Sequence, residues 1–546
     1  MKRGHLILWA VTASLAGFLF GFDTIVISGA EQDFKLAWQL PNWIHGLAMG
    51  AALYGTVLGA IFGGIPSAKY GRKKTLITVG FLYFVSAVGS GVAPDPWTFM
   101  IARFIGGLGV GAATVASPMF ISEISPPGNR GKLAGMFQFN IVFGILIALV
   151  SNALFGKLVA ESVAWRWMLG IEAIPALAYT LMTFSLPESP RWLITHAKQR
   201  LAGAEIFRLI NPDASADEIE SLVQEVEASV ANVSGTEPFW TPRLRMPIFL
   251  AIMIAVFNQF SGINIVFYFA PRLLGLAGMG DPLLSSVALG VTNLVFTFLG
   301  LWLIDKLGRR SLLYIGSVGY ILSLGVCAYA FLSEPTLKVV SAANDLADTA
   351  AAIQYEEQGK VFLSQKDKAD LLENLQAQKA KLVELCDAAW YEGAKLTLSS
   401  PGTGTDVENL MIGPDATPSE VAKIAATCKH QASALVSTTS MIVLACLIGF
   451  IAAHAIGQGA VIWVFISEIF PNDHRSAGTS LGSATHWICA AGMTTLFPIV
   501  SGLVETGAIF AFFCFCMVLQ LLWVKFFVPE TKGISLEEIE RKLGIM

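Results

Sequence analysis

The chain has 546 residues, 54% of them hydrophobic and only 14% charged, with a formal net charge of -4. With so few charges and a mean hydropathy of +0.62, it is excluded from the soluble globular class and reads as a polytopic membrane protein. The small net charge gives no nucleic-acid reading, because acidic and basic groups sort to opposite faces of a bilayer.

Apolar runs of about 20 residues, each long enough to cross a hydrocarbon core roughly 30 Å thick, fall near 6–29, 46–66, 75–93, 97–121, 132–155, 168–186, 246–275, 284–304, 311–332, 436–466, 478–502 and 508–528. They predict twelve transmembrane helices and an all-α membrane protein, since backbone groups in lipid must bond internally and long Gly- and Ala-containing runs do so as helices. The first run follows Lys2 and Arg3 as a signal peptide would. It is too long for one and carries Asp23 in place of a small-residue cleavage site, so it reads as a retained helix. Basic residues cluster in alternate loops: Lys69, Arg72, Lys73 and Lys74, then Arg130 and Lys132, then Lys306, Arg309 and Arg310. By the positive-inside rule both termini are cytoplasmic and the chain is a multi-pass protein of the plasma (inner) membrane.

The predicted organisation is an N-terminal six-helix half (1–186), cytoplasmic linker helices (187–245), helices 7–9 of a C-terminal half (246–332), an external insertion (333–435), helices 10–12 (436–528) and a cytoplasmic tail (529–546). The linker carries "PESPRW" and the amphipathic "ADEIESLVQEVEASV". The two halves echo each other: "KYGRKKT" after helix 2 returns as "DKLGRRS" after helix 8, and "SEISPPGNRG" as "SEIFPNDHRS". Repetition at matched positions marks a transporter whose halves rock about a central site. The insertion holds no Arg and 9 Lys against 15 Asp plus Glu. Its run "KDKADLLENLQAQKAKLVELCDAAWYEGAK" predicts a small helical hairpin, followed by a flexible "SSPGTGTD". Cys386 and Cys428 are its only cysteines; Cys327, Cys446, Cys489, Cys514 and Cys516 lie in helices. An outward location permits a disulfide between the first two, with two free thiols as the alternative.

Polar side chains concentrate in "NQFSGINIVFYFAP", from Asn258 to Pro271. Gly262 weakens the helix there, so it can break and turn amides toward a cavity. Amides donate and accept, as a neutral polyol requires, whereas an ionic substrate would call for a counter-charge. Hydrogen bonding between helices is the competing reading.

Together with "FGFDTIVISG", "RFIGGLGVG", "PESPRW", "IDKLGRR", "SEIFP" and "PETKG", this stretch resembles the sugar porters of the major facilitator superfamily over nearly all of the chain except 333–435. The resemblance implies twelve helices, alternating access and one sugar site between the halves. It also implies that Gln138, Gln259, Asn264, Tyr268, Asn293, Gly459, Trp463 and Trp487 contact the sugar. Asn258 replaces a Gln of the family and belongs to the same substrate-binding set. Ala460 replaces the Pro of a helix-10 kink that Gly457 and Gly459 can supply.

Asp23, Arg103 and Glu172 fall inside predicted spans, where an ionisable group suggests function. In proton-coupled members of the family an acid at the first position pairs with an Arg at the second, and an acid at the third tunes the pair. The alternative is a permanent structural salt bridge. By the same resemblance Glu123, Arg130, Glu188, Arg191, Asp305, Arg309, Glu468 and Arg475 form ion pairs between the halves that hold the inner gate shut in the outward-facing state and break as it opens. Ala68 stands where the family usually has Asp, which implies a weaker N-terminal latch. Gly55, Gly59, Gly63, Gly107 and Gly111 read as sites of close helix packing. His454 and His486 match histidines of fructose-selective members, whereas Trp463 is usual in glucose and xylose porters, so hexoses rank above pentoses.

No nucleophile–base pair, metal-spaced cluster or phosphate loop is present in the sequence, and "GGLGVG" lies within a membrane helix. The chain reads as no enzyme, without cofactor or metal, and as a monomer whose partners are a monosaccharide, a proton and the lipid bilayer. Three functions compete: proton–sugar symporter, sugar uniporter, and sugar sensor. The short tail disfavours the sensor.

Overall fold

A computed structural model describes residues 4–126, 130–212, 214–231, 238–357, 365–391, 417–471, 473–534 and 536–545. Every regular element among them is helical. The chain begins with α1 (Gly4–Ala37), α2 (Asn42–Phe62), the short α3 (Gly64–Tyr70), α4 (Arg72–Val92), α5 (Pro96–Ile124) and α6 (Arg130–Leu158). The next helical stretch is split by a turn into α7 (Glu161–Gly170) and α8 (Ala173–Thr183). The linker forms α9 (Pro190–Thr195), α10 (Arg200–Ile210) and α11 (Ala216–Ala231). Their apolar faces meet in a small core of Ile194, Phe207, Ile219, Val223 and Val226.

The second lobe opens with a helix broken twice, α12 (Arg245–Phe260), α13 (Ile263–Tyr268) and α14 (Ala270–Leu276), followed by α15 (Pro282–Leu307) and α16 (Arg309–Ser333). The insertion contributes α17 (Pro335–Glu357), α18 (Gln365–Tyr391) and α19 (Pro418–Leu435). Then come α20 (Ser437–Ile456), α21 (Gln458–Ile469), α22 (Arg475–Ser501), α23 (Thr506–Phe526) and the terminal α24 (Leu536–Lys542). The helices form two lobes that meet where α2 packs on α22 and α6 on α15.

Among the described residues ten helices are long and apolar enough to cross a membrane. The predicted runs 168–186 and 478–502 are not among them, for two different reasons. The helical stretch that holds the first carries Arg166 and Glu172 within its length and is interrupted at Ile171 and Glu172 between α7 and α8. The second, α22, has full length, but its Ser, Thr, His and Gly residues dilute its hydropathy.

The helix breaks are local and sequence-encoded. Gly262 adopts φ +87° between α12 and α13, a left-handed conformation that glycine tolerates. Helix 10 breaks at Gly457, between α20 and α21, so the kink survives the replacement of proline by Ala460. The small-residue positions serve close packing. A Cβ on Gly55 would sit 2.1 Å from the Phe104 carbonyl oxygen, and one on Gly107 1.9 Å from that of Ala52, so α2 and α5 touch backbone to backbone.

The insertion departs from the expected hairpin. Among its described residues it has three helices, with α17 packed against both α18 and α19. Its first and last helices are rooted directly on α16 and α20, so the excursion from the lobe begins later than residue 333. The Cys386 and Cys428 sulfurs face each other between α18 and α19 at 3.8 Å, longer than the roughly 2 Å of a disulfide. The stretch "SSPGTGTD" lies outside the described residues.

Candidate functional site

A cavity of about 850 Å³ lies between the lobes. Gln138, Asn258, Gln259, Asn264, Asn293, His454, Gly459, Trp463, His486 and Trp487 all line it. Their amides form a relay. Asn258 Nδ2 donates to Gln458 Oε1 at 3.3 Å, Gln259 Nε2 to Asn258 Oδ1 at 3.1 Å, and Asn264 Nδ2 to Gln259 Oε1 at 2.9 Å. The His486 ring lies within hydrogen-bond reach of Gln259 Nε2, its Nε2 at 3.1 Å. Trp463 and Trp487 flank that ring, with centroids at 5.2 and 4.8 Å. Such a wall presents paired donors and acceptors beside aromatic faces, which suits a polyol with an apolar C–H surface.

Two members of the expected set behave differently. Tyr268 is 1% exposed, does not line the cavity, and its hydroxyl has no hydrogen-bond partner. The neighbouring Asn264 and Phe267 of the same short α13 do line the cavity, whereas α13 also packs against α1. His454 does line the cavity, yet its Nδ1 lies 2.7 Å from the Tyr320 hydroxyl, so one ring nitrogen is already engaged. Gln458 was missed by sequence reasoning although it precedes Gly459. A fully buried amide beside a glycine at a helix break was the available signal.

Asp23, Arg103 and Glu172 come together inside the first lobe. Arg103 Nη1 donates to Asp23 Oδ1 at 2.6 Å and Nη2 to the Asp23 carbonyl at 2.7 Å. All three residues are 1% exposed. Neither carboxylate oxygen of Glu172 accepts a hydrogen bond, and Asp23 Oδ2 is likewise unmet. The pocket thus holds two acids against one base. Tyr83 and Tyr179, also fully buried with unpaired hydroxyls, stand in the same lobe and were not anticipated.

The latch pairs between lobes are expected in the outward-facing state; in the state seen here, the described residues of the set that pair do so within their own lobe. Arg72 donates Nε and Nη2 to Glu123 at 2.9 and 2.8 Å, and Arg309 donates the same two nitrogens to Glu468 at 3.0 and 2.6 Å. Glu188 accepts the backbone N–H of Arg72 at 2.8 Å, as Glu530 accepts that of Arg309 at 2.9 Å. The repeat therefore has a third echo, "PES" with "PET", which capped two helix starts and went unread in the sequence. Asp305 approaches Arg309 only to 3.6 Å and is 83% exposed, so the Asp missing at Ala68 costs little. Arg475 lines the cavity instead of pairing through its Nε. No ion pair of Arg191 is seen among the described residues, and the Arg130 side chain lies outside them. Among the described residues no latch pair joins the lobes, and the cavity runs out between the lobes past Ser467, Arg475 and Ser476, at the face that carries the linker and both termini.

The family model described as "Sugar (and other) transporter" matches residues 9–349 and 421–543. The chain belongs to that sugar transporter family. The unmatched interval is narrower than 333–435, in keeping with α17 and α19 being rooted on the lobe. A glucose transport protein of Synechocystis sp. is 28% identical, covering 96% of this chain and 95% of that protein. The inward-open xylose transporter of E. coli superposes with a TM-score of 0.70 at 26% identity, covering 98% of this chain and 99% of that one. A proton:xylose symporter of the major facilitator superfamily bound to 6-bromo-6-deoxy-D-glucose gives a TM-score of 0.63 at 27% identity, covering all of both chains. Membership of this family assigns the chain to transport.

Proposed function

We propose that this sugar transporter is a proton-coupled monosaccharide symporter working by alternating access. The observation that carries the coupling is the pocket of Asp23, Arg103 and Glu172, in which two buried acids face one base. Unbalanced charge in a membrane interior is costly, and one proton shared with the acids removes the imbalance. In the paired state Arg103 holds the Asp23 carboxylate. When Arg103 swings toward Glu172, Asp23 loses its counter-charge and takes the proton.

The sugar site is the amide wall of α12, α13 and α15 with the aromatic and histidine faces of α20, α21 and α22. Gln138, Asn258, Gln259, Asn264, Asn293, His486 and Trp487 are its contacts, with Gly459 giving the backbone close approach and Tyr268 entering as the lobes close. Split α7–α8 and polar α22 supply two more crossings, giving twelve in two six-helix halves. The open face is the cytoplasmic one, both termini lie on it, and the chain resides in the plasma membrane. The intra-lobe clusters of Arg72 and Arg309 keep each lobe rigid, and Arg475 with its neighbours meets the first lobe when the inner gate shuts. A hexose, fructose or glucose, is the favoured substrate, since His486 adds a polar group beside Gln259.

Facilitative uniport is the second reading, because a permanent Asp23–Arg103 bridge would look the same in one state. Counterflow into proteoliposomes with labelled sugars, with and without an imposed proton gradient, separates the two. Accumulation against a sugar gradient is expected only with the proton gradient. Equal uptake in both conditions would assign uniport.

A further inference from the structure

The mouth opposite the open face is shut by charges that the coupling pocket does not use. Glu31, near the end of α1, is 1% exposed, and its Oε1 lies 3.4 Å from Arg272 Nη1 and 3.2 Å from His45 Nε2. Gln32 donates its side-chain N–H to the other carboxylate oxygen. Glu31 and His45 belong to the first lobe, whereas Arg272 sits on α14 of the second, so this carboxylate bridges the lobes. Aromatic contacts continue the seal: His45 meets Phe269 edge-on at 6.5 Å, and Phe269 meets Phe497 at 4.4 Å. Over this set lies α17, packed against both α1 and α14. Its half-buried Asp348 lies within the electrostatic reach of Lys35, Arg272, Asp345 and Glu31, and of Lys429 on α19. Lys338, at the root of α17, reaches Glu505 at 3.6 Å.

We propose that Glu31, His45 and Arg272 are the latch of the insertion-side mouth and that α17 is a strap across it, so that the insertion biases the carrier toward the state whose cavity opens at the opposite face. A buried ion pair gains about as much from hydration on separation as it loses in mutual attraction, so it can open. Loss of one partner is different, because it leaves the other charge buried and alone and favours the open mouth. The carrier of the movement is α14, which the breaks at Gly262 and Phe269 separate from the rest of its helix. Neighbouring α1 and α17 must part as it tilts.

The inference rests on the alternating-access reading, and hydrogen–deuterium exchange of the full chain in lipid nanodiscs tests it separately from transport. Arg272→Gln and Glu31→Gln are expected to raise exchange several-fold at the insertion-side ends of α1, α2 and α14 while lowering it at the termini-side ends of α21 and α22. Replacing 333–435 by a short polar linker shifts both faces in the same directions by less. A purely structural role would raise exchange at both faces together, which overturns the proposal. Unchanged exchange at the insertion side in Arg272→Gln and in the linker protein overturns it as well. Should Arg272→Gln fail to insert, Asp348→Lys, which sets a cation against Arg272 and Lys35, decides by the same pattern. Failure of sugar counterflow by the native chain would sink the transport reading and leave the exchange measurement intact.

Discussion

The two lobes derive from one repeat yet differ in what they bury. In the first, the middle of the bundle holds Asp23, Arg103 and Glu172. Among the described residues, the second has no carboxylate at the middle of a span, and it buries the amides of Asn258, Gln259, Asn293 and Gln458 instead. The backbone differs in the same sense: α12 to α14 breaks at Gly262 and Phe269, and α20 to α21 at Gly457. Ionisable groups need a fixed, dry counter-charge, whereas hydroxyl recognition needs amides that bending helices can bring up to a ligand. On the reading proposed above, coupling lies in the first lobe and most of the recognition in the second, with Gln138 of α6 the first lobe's amide in the cavity.

The largest effect that could break this division is on accumulation. Asp23→Asn should abolish uphill uptake driven by a proton gradient while sugar-for-sugar exchange persists, as measured by the two assays on one preparation. If the variant accumulates sugar like the native chain, the first lobe carries no coupling. Next in size, Gln259→Ala and Asn264→Ala should weaken sugar affinity several-fold to about tenfold or beyond, since each lost hydrogen bond to a buried polyol is worth on the order of 1 kcal/mol or more. Binding calorimetry with native affinity in both variants would move recognition out of the second lobe.

The termini-side clusters test where the lobes remain alike. Arg72→Gln and Arg309→Gln each break a bidentate pair, so each should lower stability by about 1–3 kcal/mol, seen as similar drops in Tm. A large drop for only one of them would show that the repeat has diverged there too. The insertion follows pH in a direction set by Asp348, whose carboxyl is pushed up to about 6 by burial, an effect opposed by Lys35 and Arg272. The docked form then holds a proton that an undocked carboxyl releases, so docking is weakest above pH about 6 and tightens as pH falls from there toward 4. Exchange across α17 measured at pH 5 and 7.5 should show it, and Asp348→Asn should flatten the difference. The smallest effect is expected from replacing 358–416, with α18, by a short linker. Loop closure changes by only about 1 kcal/mol and α17 stays on α19, so uptake should remain measurable; its complete loss in a correctly inserted protein would make α18 part of the gate.

The family resemblance named ten of the residues that line the cavity. Sequence by itself determined the all-α membrane fold, the echoed motifs and the break at Gly262. These follow from properties local to a segment: length of apolar run, a glycine in a span, a charge where lipid forbids it. Adjacent motifs could also be read as pairs of echoes, although the "PES" and "PET" caps escaped because their meaning lies in the helix start each one meets across the fold. Only the tertiary structure decided that Arg72 takes Glu123 within its own lobe, that Tyr268 stays out of the cavity lining, that the described part of the insertion forms three helices, and that Glu31 bridges to Arg272. Each of those depends on which distant helices lie side by side and on which face of the carrier is open. A charge pattern fixes what can pair; the position of the lobes selects which pairs exist.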